Sequence, residues 1–245
     1  MSGHSKWATT KRKKAVIDSK RGKIFTKLIK EITIAARQGG GDLSGNPRLR
    51  LAIDNAKAAN MPADNIERAV KKGTGALEGQ SIVEMSYEGY GPSGVAVLVE
   101  VATDNKNRTV AEVRHLFSKS GGSLGESGSV AWMFERKGVI TLPFQDKAEE
   151  DILEIILDQG ADDLAKEEDF YEIQTSMESF ENVRKALIDN NLSVENASLQ
   201  WIAKNTIPVS GDDSEAVIKL LEGLEDLDDV QNVFTNADFD EDSLK

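Results

Sequence analysis

The 245-residue sequence predicts an α+β multidomain protein, with a small all-helical front and a longer region of alternating strands and helices. Three observations point there. Apolar residues recur at helical spacing between Gly22 and Gly73. From residue 80 to 240, β-rich runs alternate with helical runs. The charge divides near the same place: residues 1–75 carry 17 Lys and Arg against 6 Asp and Glu, whereas residues 76–245 carry 13 against 36. The overall charge of −12 therefore conceals a front of +11 and a remainder of −23.

Residues 1–21 show no stable periodicity and read as a basic arm or a frayed helix. Ile24, Phe25, Leu28, Ile29, Ile32 and Ala36 then mark a first helix, stopped at Gly39-Gly40-Gly41. Asn46-Pro47 is an N-cap followed by a proline at the first helical position, and Leu49, Ala52, Ile53, Ala56 and Ala59 form the apolar face of the helix it opens. Pro62 opens a third helix with Ile66, Ala69 and Val70 inward, and Gly73 fits the position just past its end. Gly73, Gly75 and Gly79 read as a linker.

Strands are expected at Ser81–Tyr87 and Val95–Val101, followed by a helix over Lys106–Lys119 that stops at Gly121. Ser129–Phe134 and Gly138–Leu142 read as strands joined by a tight turn at Arg136-Lys137. The remainder alternates: a helix (Lys147–Asp158), a strand (Phe170–Thr175), a helix (Met177–Asn190), a strand (Ala197–Asn205), a helix (Ser214–Leu224) and a strand (Val230–Thr235). Asp238, Asp240, Glu241 and Asp242 read as a solvated acidic tail. Strand pairing is not legible from the pattern, which allows one sheet or two.

Composition excludes several classes of function. No cysteine is present, so disulfides, zinc–thiolate sites, iron–sulfur clusters and thiol catalysis are ruled out, and a reducing cytoplasm is the compartment that fits. No run approaches the roughly 20 apolar residues of a membrane span. The basic N-terminus is not followed by an apolar segment, so it does not read as a secretory signal. Neither His4 nor His115 has a recognisable catalytic or metal-binding partner, and the Asp and Glu residues show no diagnostic spacing. We therefore expect no enzymatic activity, no cofactor, no metal and no small-molecule substrate.

What the charge pattern favours is a polyanion partner. The first 30 residues hold ten cations, Lys6, Lys11, Arg12, Lys13, Lys14, Lys20, Arg21, Lys23, Lys27 and Lys30, against Asp18 alone. On a continuous helix Lys20, Lys23, Lys27 and Lys30 fall in one stripe away from the Ile24, Leu28 and Ile32 face. Like charges at this spacing repel, which costs stability unless a partner neutralises them. Phosphate neutralisation with counterion release is the strongest interaction such a surface makes, so DNA or RNA is the expected partner. Trp7, set among these charges, is a candidate for stacking on an exposed base or for packing back on the helices.

Two further motifs have simpler readings. Thr103-Asp104-Asn105-Lys106-Asn107-Arg108-Thr109 leads into a helix and reads as a capping turn, with phosphate binding by Lys106 and Arg108 as the alternative. The Gly-rich stretch Ser120–Ser129 follows a helix and lacks the Lys-Ser/Thr of a P-loop, so it reads as a helix stop and a turn.

Several of these stretches resemble the YebC family: Gly3-His4-Ser5-Lys6-Trp7, Lys20-Arg21-Gly22-Lys23-Ile24-Phe25-Thr26-Lys27-Leu28, Asn46-Pro47-Arg48-Leu49-Arg50, Ala58-Ala59-Asn60-Met61-Pro62, Asn65-Ile66-Glu67-Arg68-Ala69, Tyr87-Glu88-Gly89-Tyr90-Gly91-Pro92 and Thr103-Asp104-Asn105. The resemblance covers nearly the whole chain. It departs over Ala8–Lys20, where Arg12 stands in place of a frequent histidine and keeps the positive charge. The resemblance implies three domains, the third inserted in the second: residues 1–79, residues 80–134 with 205–245, and residues 135–204. It implies a DNA-binding transcriptional regulator. It also implies an alternative, a ribosome-associated translation factor that binds ribosomal RNA and relieves stalling, as described for relatives that include the mitochondrial translational activator of cytochrome oxidase subunit one. A protein–protein adaptor whose basic arm meets an acidic protein is the reading from another class.

Overall fold

A computed structural model describes residues 21–78, 81–144, 147–167 and 169–240. The expectations for Lys6, Trp7, Lys11, Arg12, Lys13, Lys14 and Lys20 lie outside the described residues, as do Glu241 and Asp242 of the acidic tail. Among the described residues there are seven helices and ten strands. By internal contacts the chain forms two units: residues 1–52, 62–135 and 202–245 in the first, and residues 53–61 and 136–201 in the second.

The first unit begins with α1 (Arg21–Gly39), α2 (Pro47–Ala58) and α3 (Ala63–Gly73). Asn46 caps α2 as expected, its Oδ1 accepting from the Leu49 N–H at 3.0 Å. Its Nδ2 also donates to the carbonyls of Ala35 and Gly40, both at 2.8 Å, so one buried amide joins the end of α1 to the start of α2. Gly73 has a different role from the one expected. It lies inside α3, and the positive φ of +80° falls two residues later at Gly75. A Cβ on Gly73 would meet the Thr33 carbonyl oxygen and lie 2.6 Å from the Ala36 Cβ. This glycine lets α3 approach α1 closely, and the linker turn belongs to Gly75.

The sheet of the first unit has the order β3-β1-β2-β9, from β1 (Val83–Tyr90), β2 (Ala96–Thr103), β3 (Ser123–Leu124) and β9 (Val230–Thr235). β2 pairs antiparallel with both β1 and β9. Val97, Val99 and Val101 of β2 pack with Val113 and Phe117 of α4 (Lys106–Lys119) and with Leu220, Leu221 and Leu224 of α7 (Gly211–Glu225). The Gly-rich stretch is a helix stop and turn, and its ordering comes from a carboxylate. Glu88 is buried and accepts the backbone N–H groups of Gly128, Val130 and Ala131 at 2.7, 2.7 and 2.8 Å. Burial pushes its carboxyl pKa up, but the three N–H donors outweigh that and hold it below the usual carboxylate range.

That clamp explains a correction. Residues 129–133 are not a strand: Ala131–Met133 is a 3₁₀ turn, and no turn forms at Arg136-Lys137. β4 instead runs unbroken over Phe134–Pro143, with Gly138 inside it, where a Cβ would lie 2.9 Å from that of Phe180. A second correction concerns the acidic end. Ala237–Phe239 is a strand, β10, paired parallel to β8 (Ile207–Val209), with Ala237 and Phe239 fully buried on either side of Asp238. The period-two alternation of apolar and acidic residues is a strand signal that composition hides.

The second unit holds a sheet of order β5-β6-β4-β7, with β5 (Ala161–Lys166), β6 (Phe170–Thr175) and β7 (Asn196–Ala203). Its core joins Ile140, Leu142 and Ile173 from the sheet with Ile152 and Ile156 of α5 (Glu149–Leu157) and Val183 and Leu187 of α6 (Phe180–Asp189). Residues 53–61 group with this unit because Arg184 Nη1 donates to Asp54 Oδ2 at 3.0 Å and Asn55 Nδ2 donates to the Ala197 carbonyl at 2.9 Å. β5 is an edge strand missed in the sequence, since Ala-Asp-Asp-Leu-Ala-Lys has no β-branched residue and owes its form to pairing with β6.

Two substitutions test these roles by urea unfolding. Gly73→Ala is expected to lower stability by about 1–3 kcal/mol through overpacking of α3 on α1. Glu88→Ala is expected to cost about 2–4 kcal/mol, because it leaves three sheltered backbone donors without an acceptor. A wild-type unfolding midpoint in either variant contradicts the role assigned to that residue.

Candidate nucleic-acid interface

The helix stripe is the part of the predicted surface that the structure describes. Arg21 opens α1. Lys23, Lys27 and Lys30 have acceptors within the protein, so part of the charge along the stripe is answered internally. Lys23 Nζ donates to Asp226 Oδ1 at 3.0 Å and to the Asp226 carbonyl at 3.2 Å. Lys27 Nζ donates to the Glu225 carbonyl at 3.1 Å. Lys30 Nζ donates to the carbonyls of Ala102 and Asp228 at 3.0 and 2.7 Å and to Asp229 Oδ1 at 2.9 Å.

The reason lies in α7. The last carbonyls of a helix have no intrahelical donor and carry the negative end of its dipole. α7 has no basic residue in its last turn to answer them. Two ammonium groups of α1, those of Lys23 and Lys27, supply that charge from another element, and Lys30 answers the turn that follows. The mutual repulsion expected along the stripe is relieved by acceptors more than 70 residues away in sequence.

Asp229, in the turn before β9, gathers this region together. Its side chain is almost fully buried. Oδ1 accepts from Lys30, and Oδ2 accepts from Arg108 Nη2 at 2.6 Å, Thr109 Oγ1 at 2.8 Å and Thr103 Oγ1 at 3.0 Å. Its carbonyl accepts the Ala102 N–H at 2.8 Å. Burial raises the pKa of the Asp229 carboxyl, but hydrogen bonds from Arg108, Lys30 and Thr109 prevail and hold it far below the ordinary carboxylate range. The Thr103–Thr109 motif is thus a capping turn with a second task. Asn105 Oδ1 accepts the Arg108 N–H at 3.1 Å, and Thr103, Arg108 and Thr109 all reach Asp229.

Other cations near the front are engaged as well. Arg48 donates to Glu31 at 2.8 and 2.9 Å and to Glu84 at 2.5 and 3.1 Å, joining α1, α2 and β1. Arg37 donates to the Ile82 carbonyl at 2.6 Å. Arg68 and Lys72 are exposed, sit one turn apart on α3, and make no ion pair with the described residues. Lys72 also borders a shallow cavity of about 200 Å³ lined by Lys30, Asp104, Arg108 and Asp229. Sequence reading passed over this pair. The available signal was Arg68 and Lys72 at i,i+4 on the face opposite Ile66 and Ala69. His115 is exposed on α4. Among the described residues no group of three or more His, Cys, Asp or Glu is placed to hold a metal ion, and no helix is long and apolar enough to cross a membrane.

Asp229→Asn removes the charge that Lys30 and Arg108 answer, and an expected loss of about 3–5 kcal/mol at pH 7 follows from leaving cations around a sheltered site unpaired. The pH dependence has a definite sign. A depressed carboxyl pKa contributes stability above the unfolded-chain value, near 3.9, and loses it as pH falls through the folded value. Urea midpoints of the wild type are therefore expected to drop on going from pH 5 to pH 2, and those of Asp229→Asn to drop less. Parallel profiles would show that Asp229 does not carry the acid sensitivity.

Comparison with known proteins agrees with this architecture. Residues 5–76 match the N-terminal domain of the TACO1/YebC protein, and residues 82–237 match the TACO1/YebC second and third domain. The chain is 56% identical over 246 residues to a probable transcriptional regulatory protein of Chloroherpeton thalassium, covering 100% of this chain and 98% of that protein. It is 55% identical over 242 residues to a protein of the same description from Chlorobaculum parvum, covering 98% and 96%. The crystal structure of a conserved hypothetical protein from Aquifex aeolicus superposes with a TM-score of 0.87 at 48% identity, covering 93% of this chain and 94% of that one. With both of its parts matched and its fold reproduced in a solved relative, the chain belongs to the TACO1/YebC family of regulatory proteins.

Proposed function

We propose that the protein is a non-enzymatic, nucleic-acid-binding regulator, acting in the cytoplasm as a DNA-binding transcriptional regulator. The observation that carries this is the set of seven cations, Lys6, Lys11, Arg12, Lys13, Lys14, Lys20 and Arg21, placed against Asp18 alone at the front of an otherwise acidic chain. These cations neutralise backbone phosphates, and Trp7 stacks on a base. Arg68 and Lys72 extend the contact surface. Lys23, Lys27 and Lys30 support it from beneath, because their ammonium groups serve α7 and Asp229. In this division of labour residues 1–79 hold the nucleic acid, while residues 80–134 with 205–245, and the inserted 135–204, position it or meet protein partners.

A second reading has its own support. The matched domains bear the name TACO1 beside YebC, and the resemblance read from the sequence extends to a mitochondrial translational activator. Under that reading the phosphates are those of ribosomal RNA, and the protein relieves stalling.

Salt titration of the full chain tests the reading. The logarithm of affinity for a DNA duplex or an RNA hairpin is expected to fall linearly with the logarithm of salt, by about 0.7–0.9 per phosphate contact. Changing Lys11, Arg12, Lys13 and Lys14 together to alanine is expected to flatten that slope by about three units. Lys27→Ala is expected to leave the slope unchanged and to lower stability. A slope near zero in the wild type would remove phosphate contact and favour the adaptor. Sucrose-gradient sedimentation with ribosomes, followed by crosslinking, separates the two targets: co-sedimentation with crosslinks from the arm to ribosomal RNA assigns translation, and sedimentation apart from ribosomes assigns DNA.

A further inference from the structure

The most exposed large apolar side chain among the described residues is Trp132, at 65%. It stands on the 3₁₀ turn Ala131–Met133, between two residues that point inward, Val130 at 0% and Phe134 at 3% exposure. The turn is fixed from several sides. Glu88 holds the N–H groups of Gly128, Val130 and Ala131. Tyr90 donates its hydroxyl to the Ser129 carbonyl at 3.0 Å. Lys204 donates its ammonium to the Trp132 carbonyl at 2.9 Å and its N–H to the Met133 carbonyl at 2.9 Å. The indole is itself oriented, since its Nε1–H donates to the Ser129 carbonyl at 3.1 Å. An apolar ring is thus held outward by a rigid backbone, with its polar atom already satisfied.

With its Nε1–H engaged and the residue 65% exposed, what the ring offers a partner is open π surface. A group recognised through a face alone is flat and aromatic, and a rigid ring loses little rotamer freedom on stacking. The Lys204 ammonium is exposed and gives one of its three N–H donors to the Trp132 carbonyl, which leaves donors facing solvent beside the ring for a phosphate that follows a base. From this geometry we infer that Trp132 is a stacking platform for an unpaired nucleobase, with Lys204 on the adjoining phosphate. The inference rests on the nucleic-acid reading above and narrows it to targets that present an unstacked base, in a single strand or a loop. Duplex bases are stacked on both faces and do not offer this contact.

The test compares three fluorescently labelled probes with the full chain at fixed salt: a 15-mer of riboadenosine, the same sequence in DNA, and a 15-base-pair DNA duplex. Trp132→Ala is expected to weaken single-strand binding about 5- to 150-fold, the range for removing one base–aromatic stack. Trp132→Phe is expected to recover most of that loss, and neither change is expected to alter the salt slope, because stacking releases no counterions. In a Trp7→Phe background, single-stranded probe is expected to quench intrinsic fluorescence, and the further change Trp132→Phe to abolish the quenching. A ribose preference in the first two probes identifies RNA as the source of the base, and equal binding identifies any single strand. Single-strand affinity unchanged in a folded Trp132→Ala variant overturns the inference and leaves the nucleic-acid reading intact. So does an equal loss on the duplex. No binding of any probe by the wild type overturns both.

Discussion

One buried carboxylate holds the first unit in register. Asp229, in the turn before β9, lies where α1, the end of β2 and the start of α4 meet, and each of these three elements sends it a donor. An ionised group with so little exposure is stable only when its lone pairs are answered by charge and by hydrogen bonds. Lys30 and Arg108 answer with charge, Thr103 and Thr109 with hydroxyls. Displacing any of these elements would leave the others facing an unmatched charge. The position of α1, and with it the point from which the basic arm departs, is therefore fixed by electrostatics as much as by the apolar packing of Ile32 and Ala36.

This network sorts the cations at the front of the chain into two kinds. Lys23, Lys27, Lys30, Arg37 and Arg48 are committed to carbonyls and carboxylates of the protein itself. Arg68 and Lys72 are exposed and make no such commitments among the described residues. The C-terminus of α7, which has no basic residue of its own, carries partial negative charge that Lys23 and Lys27 answer, while Lys30 is taken up by the following turn. The acidic remainder of the chain thus participates in placing the basic front, and the charge asymmetry serves folding.

A similar economy governs the loop of residues 125–133. The Gly-rich stretch suggests a mobile turn. Glu88 converts it into a fixed one, because a buried carboxylate and three backbone donors satisfy each other. The consequence is a rigid mount for Trp132 in place of the strand that its β-branched and aromatic neighbours suggest. Local propensity lost here to a tertiary hydrogen bond from β1, 40 residues earlier in the chain.

Much of the fold was legible in local pattern. The helix over Lys106–Lys119, the strands Phe170–Thr175 and Val230–Thr235, the Asn46 cap and the α+β class follow from periodicity and capping chemistry, which act within a turn or two of chain. What tertiary structure alone decided is which polar groups meet. The sequence by itself established that cations gather at the front of the chain. Only the fold showed that α7 and Asp229 claim three of them, that Gly73 serves close packing, that Ala237–Phe239 is a buried strand, and that Glu88 locks the loop carrying Trp132. The physical reason is range. Propensity and periodicity are properties of neighbouring residues, whereas the partner of a buried charge is set by which distant segments the chain brings together.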